Sequence, residues 1–122
     1  KIGVPSYVVA GIADHICPWQ SCYRTTQLLG GDNRFVLSTS GHIASIVNPP
    51  GNPKATYQVN DSSPPDPEQW LRTATTAQGS WWPDLVTWLT ERGGRLRNAP
   101  SELGGAGLAP LDPAPGTYVF AT

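Results

Sequence analysis

Two short runs, Val4–Gly11 (VPSYVVAG) and Arg34–Ser38 (RFVLS), constrain this chain more than anything else in it. The first is β-branched and aromatic, apolar on both faces, and ends at glycine, as a strand buried inside a parallel sheet would. Between the two runs, Pro18 opens a first helical turn, Trp19 to Leu29 reads as a helix, and Gly30-Gly31 stops it. The order strand, helix, strand makes the strands parallel and joined by a right-handed crossover. Such a sheet needs at least three strands with helices on both faces. The expected fold class is therefore α/β, incomplete here, with the further strands preceding Lys1.

Composition supports this reading. The 122 residues contain no methionine, even at position 1, so Lys1 is expected to be a cut or processed end of something larger. The length fits one small domain, since domains cluster near about 100–150 residues. Counting Gly and leaving out Tyr, 56 of the 122 residues are apolar, inside the usual globular range of about 45–50%, so wholesale disorder is not expected. Charged residues make up only 14% and five are Trp, so much of the surface is expected to be covered by further protein. Eight basic against nine acidic residues, without a run of either sign, give no footprint for nucleic acid or anionic lipid. No apolar run is long enough for a transmembrane segment, and the Lys1 end lacks the order of a signal peptide, so the expected compartment is the cytoplasm. Cys17 and Cys22 match neither a metal nor a disulfide framework and read as small buried hydrophobes.

After the second strand, the loop Thr39-Ser-Gly-His42 leads into Ile43–Val47, expected to form one or two helical turns before Pro49-Pro50. Asn48 to Pro67 carries six prolines and reads as an extended surface excursion. Asp66 caps a helix with Pro67 at its first position, expected to run through Trp70, Leu71 and Ala74 to about Gln78. Gly79-Ser80 starts another over Trp81 to Arg92, where Trp81, Leu85, Trp88, Leu89 and Arg92 recur at helical spacing. Its aromatic face is expected to pack on the sheet. Gly93-Gly94 ends it. The expected organisation is an α/β part over 1–94 and a Gly/Pro-rich C-terminal tail over 95–122, in which Leu103 to Thr122 is expected to form no element of its own.

Acyl chemistry by nucleophilic catalysis needs a thiol or hydroxyl, an imidazole to take its proton, and a carboxylate to hold that imidazole. Asp14 follows the first strand and His42 the second, both at the carboxyl edge where α/β sheets bind ligands. This is also the acid-then-histidine order of the α/β-hydrolase fold. No G-x-S-x-G or G-x-C-x-G elbow occurs in the 122 residues, so the nucleophile is expected before Lys1 and the chain alone is expected to be inert. An Asp at a strand end also serves as a turn former, and a lone loop His is often structural, so the spacing needs support from more specific wording.

That wording is Val8-Val-Ala-Gly-Ile-Ala-Asp-His-Ile-Cys-Pro-Trp19, Arg34-Phe-Val-Leu-Ser-Thr-Ser-Gly-His-Ile43 with Asn48-Pro49-Pro50, and Gly79-Ser-Trp-Trp-Pro83 with Trp88. Together these blocks closely resemble the carboxyl-terminal part of polyhydroxyalkanoate synthases, over nearly the whole chain, and Pro113 to Val119 is similar to that family's end. The resemblance implies the last parallel strands and helices of an α/β-hydrolase fold. It implies an acyltransferase that polymerises (R)-3-hydroxyacyl-coenzyme A into polyester and releases coenzyme A through a Cys-His-Asp triad. Asp14 and His42 match the family's catalytic aspartate and histidine; neither Cys17 nor Cys22 matches its cysteine. Asp14 either orients His42 or activates the substrate hydroxyl. His15 and Asn48 also fit the pattern, as second-shell or structural residues. The family further implies a homodimer, association with cytoplasmic polyester granules, and no metal or organic cofactor, the coenzyme A thioester being substrate. The competing readings are an esterase or polyester depolymerase with an upstream serine, since fold does not fix function, and a non-enzymatic truncated remnant.

Overall fold

The computed structural model describes residues 2–121. The chain divides into two compact units, Lys1–Arg92 and Gly93–Thr122. The first holds a four-stranded sheet: β1 (Ser6–Gly11), β2 (Asn33–Ser38), β3 (Thr56–Val59) and β4 (Thr75–Gln78), side by side in that order. It is accompanied by helices α1 (Trp19–Leu28), α2 (Pro67–Thr73) and α3 (Trp82–Arg92).

β1 and β2 run parallel, with Tyr7 beside Arg34, Val8 beside Phe35 and Gly11 beside Ser38. Because side chains alternate along a strand, Val8, Ala10, Phe35 and Leu37 share one face and Tyr7 and Arg34 the other. The first face meets Trp19 and Tyr23 of α1 and Trp70 of α2, forming the core. Tyr23, Phe35 and Trp70 pack mutually, with centroids 4.9–5.6 Å apart and both contacts of Phe35 edge-on. Edge-on packing sets the positive ring edge against the negative face, adding about 0.5–1.5 kcal/mol per pair to area burial.

On the opposite face, Tyr7 lies 6.2 Å from Trp81 and 5.5 Å from Trp88, centroid to centroid. Asp84 of α3 receives hydrogen bonds from the Tyr7 hydroxyl (2.6 Å) and Arg34 Nε (2.8 Å), and a second bond from Arg34 completes a two-pronged grip. The aromatic face of α3 thus meets the sheet, but Val86 and Leu89 are 60% and 51% exposed, so the apolar stripe is wider than the surface it covers.

The sheet is mixed. β3 pairs antiparallel with β2, and β4 antiparallel with β3. Both strands depart from the sequence expectations. β3 lies inside the proline-rich stretch expected to be an extended excursion; Thr56-Tyr57-Gln58-Val59 is β-branched and aromatic, and the flanking prolines sit outside the ladder where no amide is needed. α2 ends at Thr73, short of the expected Gln78. Ala74 turns extended, and Thr75 to Gln78 leave the helix because β3 offers an unpaired edge and β-branched Thr accepts it readily. The start of α2 follows its sequence signal, with the Asp66 carboxylate accepting from the Glu68 and Gln69 amides at 3.1 and 3.2 Å.

Cys17 is exposed and Cys22 half-buried, both as free thiols, so the expectation of two buried hydrophobes fails. Cys22 alone of the two reaches the margin of the core. Among its described residues the second unit carries one short turn of 3-10 helix, Tyr118–Phe120, where the tail was expected to form no element.

Candidate active site

The carboxyl ends of β1 and β2 continue into two loops that are stitched together. The Ile12 amide donates to the Ser38 carbonyl (2.9 Å), prolonging the ladder, and the Ala13 amide donates to the Ser40 carbonyl (3.1 Å). Ser40 sits at φ +88°, a left-handed conformation that a non-glycine residue holds only where its surroundings enforce it.

The first loop carries Asp14. Its Oδ1 accepts from the Ile16 and Cys17 amides, both at 2.9 Å, so the carboxylate folds back on its own turn. The second loop carries His42, whose Nδ1 lies 2.9 Å from Asp14 Oδ2. The Asp14 side chain is 8% exposed and that of His42 44%. The Cys17 amide, followed by the hydrogen bond with His42 and the Ile16 amide, holds the Asp14 carboxyl below the ordinary carboxylate range against the opposing effect of desolvation. An ionised carboxylate can only accept, so the proton in this bond belongs to Nδ1. In the neutral ring Nε2 then carries a lone pair and is the basic nitrogen.

After His42 the chain winds through overlapping turns, with amides of Ser45 and Val47 donating to the Gly41 and Ile43 carbonyls four residues back, so the one or two helical turns expected over 43–47 appear as single turns without joining into a continuous helix. This knot packs on the end of β1 because residue 11 is glycine. A Cβ there would come within 2.6 Å of Ser45 Oγ and 2.9 Å of the Ser40 carbonyl oxygen. From the other side, Trp81 Nε1 donates to the Ser45 carbonyl (2.8 Å) and Trp82 Nε1 to the Ile46 carbonyl (3.0 Å). The aromatic pair that opens α3 thereby fixes the loop bearing His42.

The other singled-out residues fall outside this pair. His15 is exposed on the Asp14 turn. Asn48 is buried, accepts through Oδ1 from Asn52 (2.9 Å), and its carbonyl accepts from the Ser80 hydroxyl, so it braces the loop. Cys17 joins the pair: one donor atom from each of Asp14, Cys17 and His42 lies within 4.8 Å of the other two. Spacing along the chain does not mark this cluster. The gathering depends on His42 crossing from another strand, though an Asp followed three positions later by a cysteine marks the turn that brings the thiol round. Exposed Ile12, Ile16, Ile43, Ile46 and Val47 flank these residues along the two loops.

The fold and site define an α/β protein with a carboxylate–imidazole pair where two parallel strands end. Comparison with known proteins names the family. Poly(3-hydroxyalkanoate) polymerase 2 of Ectopseudomonas oleovorans is 56% identical over 120 residues, 98% of this chain and 21% of that protein. Poly(3-hydroxyalkanoate) polymerase 1 of the same organism is 52% identical over 113 residues, covering 93% and 20%. The polymerase subunit PhaC of Cupriavidus necator is 46% identical over 121 residues, covering 99% and 20%. No family model matches the chain. The chain belongs to the poly(3-hydroxyalkanoate) polymerase family, and spans about one fifth of the length of these relatives.

Proposed function

We propose that this chain supplies the acid and the base of a polyester-forming acyltransferase, and that the rest of the family protein supplies a cysteine nucleophile and most of the substrate pocket. The observation that carries the proposal is the 2.9 Å contact between Asp14 Oδ2 and His42 Nδ1, which leaves Nε2 as the basic nitrogen. His42 Nε2 takes the thiol proton as the sulfur attacks the thioester carbonyl of an (R)-3-hydroxyacyl-coenzyme A. When the carbon–sulfur bond to coenzyme A breaks, the same proton returns to the leaving thiolate. In the elongation step His42 accepts the proton of a hydroxyl that attacks the enzyme-bound acyl group, and returns it to the cysteine thiolate released as the carbon–sulfur bond to the enzyme breaks. Asp14 holds the imidazole in its tautomer and stabilises the charged ring. No cofactor is required, since the thioester carries the activation.

The apolar residues flanking the pair and the free edge of β1 fit the same reading. Apolar surface gathered on two neighbouring loops is ordinarily covered, and a strand edge is ordinarily paired. We infer that further strands and loops of an α/β-hydrolase fold cover both, that the Gly/Pro-rich segment is its tail, and that the complete protein works as a cytoplasmic homodimer on polyester granules. Alone, without a nucleophile, the chain is inactive.

The test is to join the chain to the remainder of a family member that carries a glycine-flanked cysteine, and to measure coenzyme A release and polymer together. Both are expected from the joined protein, and neither from the chain alone. Coenzyme A release without polymer would make the site hydrolytic. A folded joined protein releasing none would reduce the pair to a structural remnant.

A further inference from the structure

We propose that Asp14, Cys17 and His42 form a binding site for one borderline-soft divalent cation of the Zn2+ type. The three residues offer a carboxylate oxygen, a sulfur and an imidazole nitrogen, all within 4.8 Å of one another. Zn2+ takes these three donor types at about 2.0–2.3 Å, which sets tetrahedral donor–donor separations of roughly 3.3–3.6 Å. Cys17 and His42 are both exposed, so their side chains have room to adjust toward these shorter separations. Three protein ligands and an open fourth position for water make the pattern of an accessible zinc site rather than a closed structural one.

Two features of the loops prepare the site. The Ile16 and Cys17 amides hold Asp14 Oδ1, which fixes the carboxylate and points Oδ2 at His42 Nδ1, 2.9 Å away, so the two donor atoms already face each other. A ligating carboxylate that is itself hydrogen-bonded in this way binds with less reorganisation. The same Cys17 amide contact keeps the thiol on the turn that faces His42. Cys22 is set apart: its thiol points to the Cys17 carbonyl at 3.8 Å and its margin is the core.

Binding breaks the Cys17 S–H bond, forms a metal–sulfur bond and delivers the proton to solvent, with no change of oxidation state. It also opens the hydrogen bond between His42 Nδ1 and Asp14 Oδ2: the ring proton passes through solvent to Nε2, and the lone pair freed on Nδ1 binds the ion. The site stands on these three residues whether or not His42 is a catalytic base; where it is, the ion competes with the substrate thiol chemistry for one ring.

The experiment uses the full chain with Co2+ and Zn2+ as probes. Co2+ titration is expected to saturate at one equivalent with a thiolate charge-transfer band, which Zn2+ then displaces. Cys17→Ala is expected to remove the band, and His42→Ala to weaken binding by more than the roughly 10–100-fold that loss of a supporting contact costs. Cys22→Ala is expected to change neither. A readout that needs no variant accompanies these: Zn2+ should slow alkylation of Cys17, read by peptide mass, and leave Cys22 unaffected. Failure to saturate, a band that survives Cys17→Ala, or equal protection of both thiols would each overturn the proposal.

Discussion

Asp14 and His42 come from loops that follow neighbouring parallel strands, and their side chains meet at 2.9 Å, oxygen to Nδ1. The contact is made by the ends of β1 and β2, since the two loops share an amide-to-carbonyl bond between Ala13 and Ser40. Removing the imidazole of this pair therefore tests chemistry with little disturbance of the fold. In the joined polymerase, His42→Ala is expected to lower turnover by about 10³-fold or more, while the melting temperature stays nearly unchanged because the side chain is 44% exposed. Near-normal turnover would remove His42 as the base.

Asp14→Asn separates charge from shape. The amide oxygen can still accept from the Ile16 and Cys17 backbone, so the turn is expected to persist, but its NH2 can face Nδ1 and select the wrong tautomer. Turnover of the joined protein should fall by about 10²–10⁴-fold. In the chain itself, the depressed Asp14 pKa contributes stability that is present above the ordinary carboxylate value of about 3.9 and lost as pH falls through the lowered folded value. The difference in melting temperature between the unaltered chain and its Asp14→Asn variant should accordingly shrink on acidification. A difference that grows toward low pH would contradict the assigned hydrogen bonds.

Gly11→Ala tests the packing beneath the pair. The added Cβ meets Ser45 Oγ at 2.6 Å and Ser45 Cβ at 2.9 Å, so the loop must shift or the strand end must bend. Overpacking of this kind costs about 1–3 kcal/mol, measurable by urea unfolding. Ser45→Gly removes both side-chain atoms and is expected to restore part of the loss, but not all, because the Ser40 carbonyl at 2.9 Å remains. Full rescue would show that the backbone contact is without consequence.

How much of this was legible in the sequence varies with where each signal is written. β1, α1, β2 and the capped start of α2 carry their signals locally, in β-branched runs, Gly30-Gly31 and Asp66-Pro67. β4 carries none: Thr75-Thr76-Ala77-Gln78 is nearly all exposed, and only the waiting edge of β3 makes it a strand. β3 itself was hidden by the prolines on either side. Crossover topology brought Asp14 and His42 to one edge, but their contact depends on the Ser40 conformation and the Gly11–Ser45 fit, neither of which spacing encodes. Cys17 read as buried because its residue type usually is, whereas the Asp14 turn carries it outward.

The last prediction concerns the grip of α3 on the sheet. Burial works against ionisation of Asp84, yet donation from Arg34 and Tyr7 outweighs it and keeps the carboxyl below its ordinary range. Burial and the Asp84 carboxylate push the Tyr7 hydroxyl pKa far up, so it remains a donor at any pH the protein meets. Tyr7→Phe removes one neutral donor to a charge and should cost about 1.5–3 kcal/mol at neutral pH. Asp84→Ala leaves Arg34 partly buried without a partner and should cost as much or more. Because the Asp84 pKa is lowered on folding, its contribution is present above about pH 3.9 and lost as pH falls through the folded value. Since Trp81 and Trp82 open α3 and hold the Ser45 and Ile46 carbonyls, loosening this grip should also loosen the His42 loop. Amide exchange at Ser45 to Val47 that speeds up in Asp84→Ala would carry that link, and exchange confined to α3 would break it.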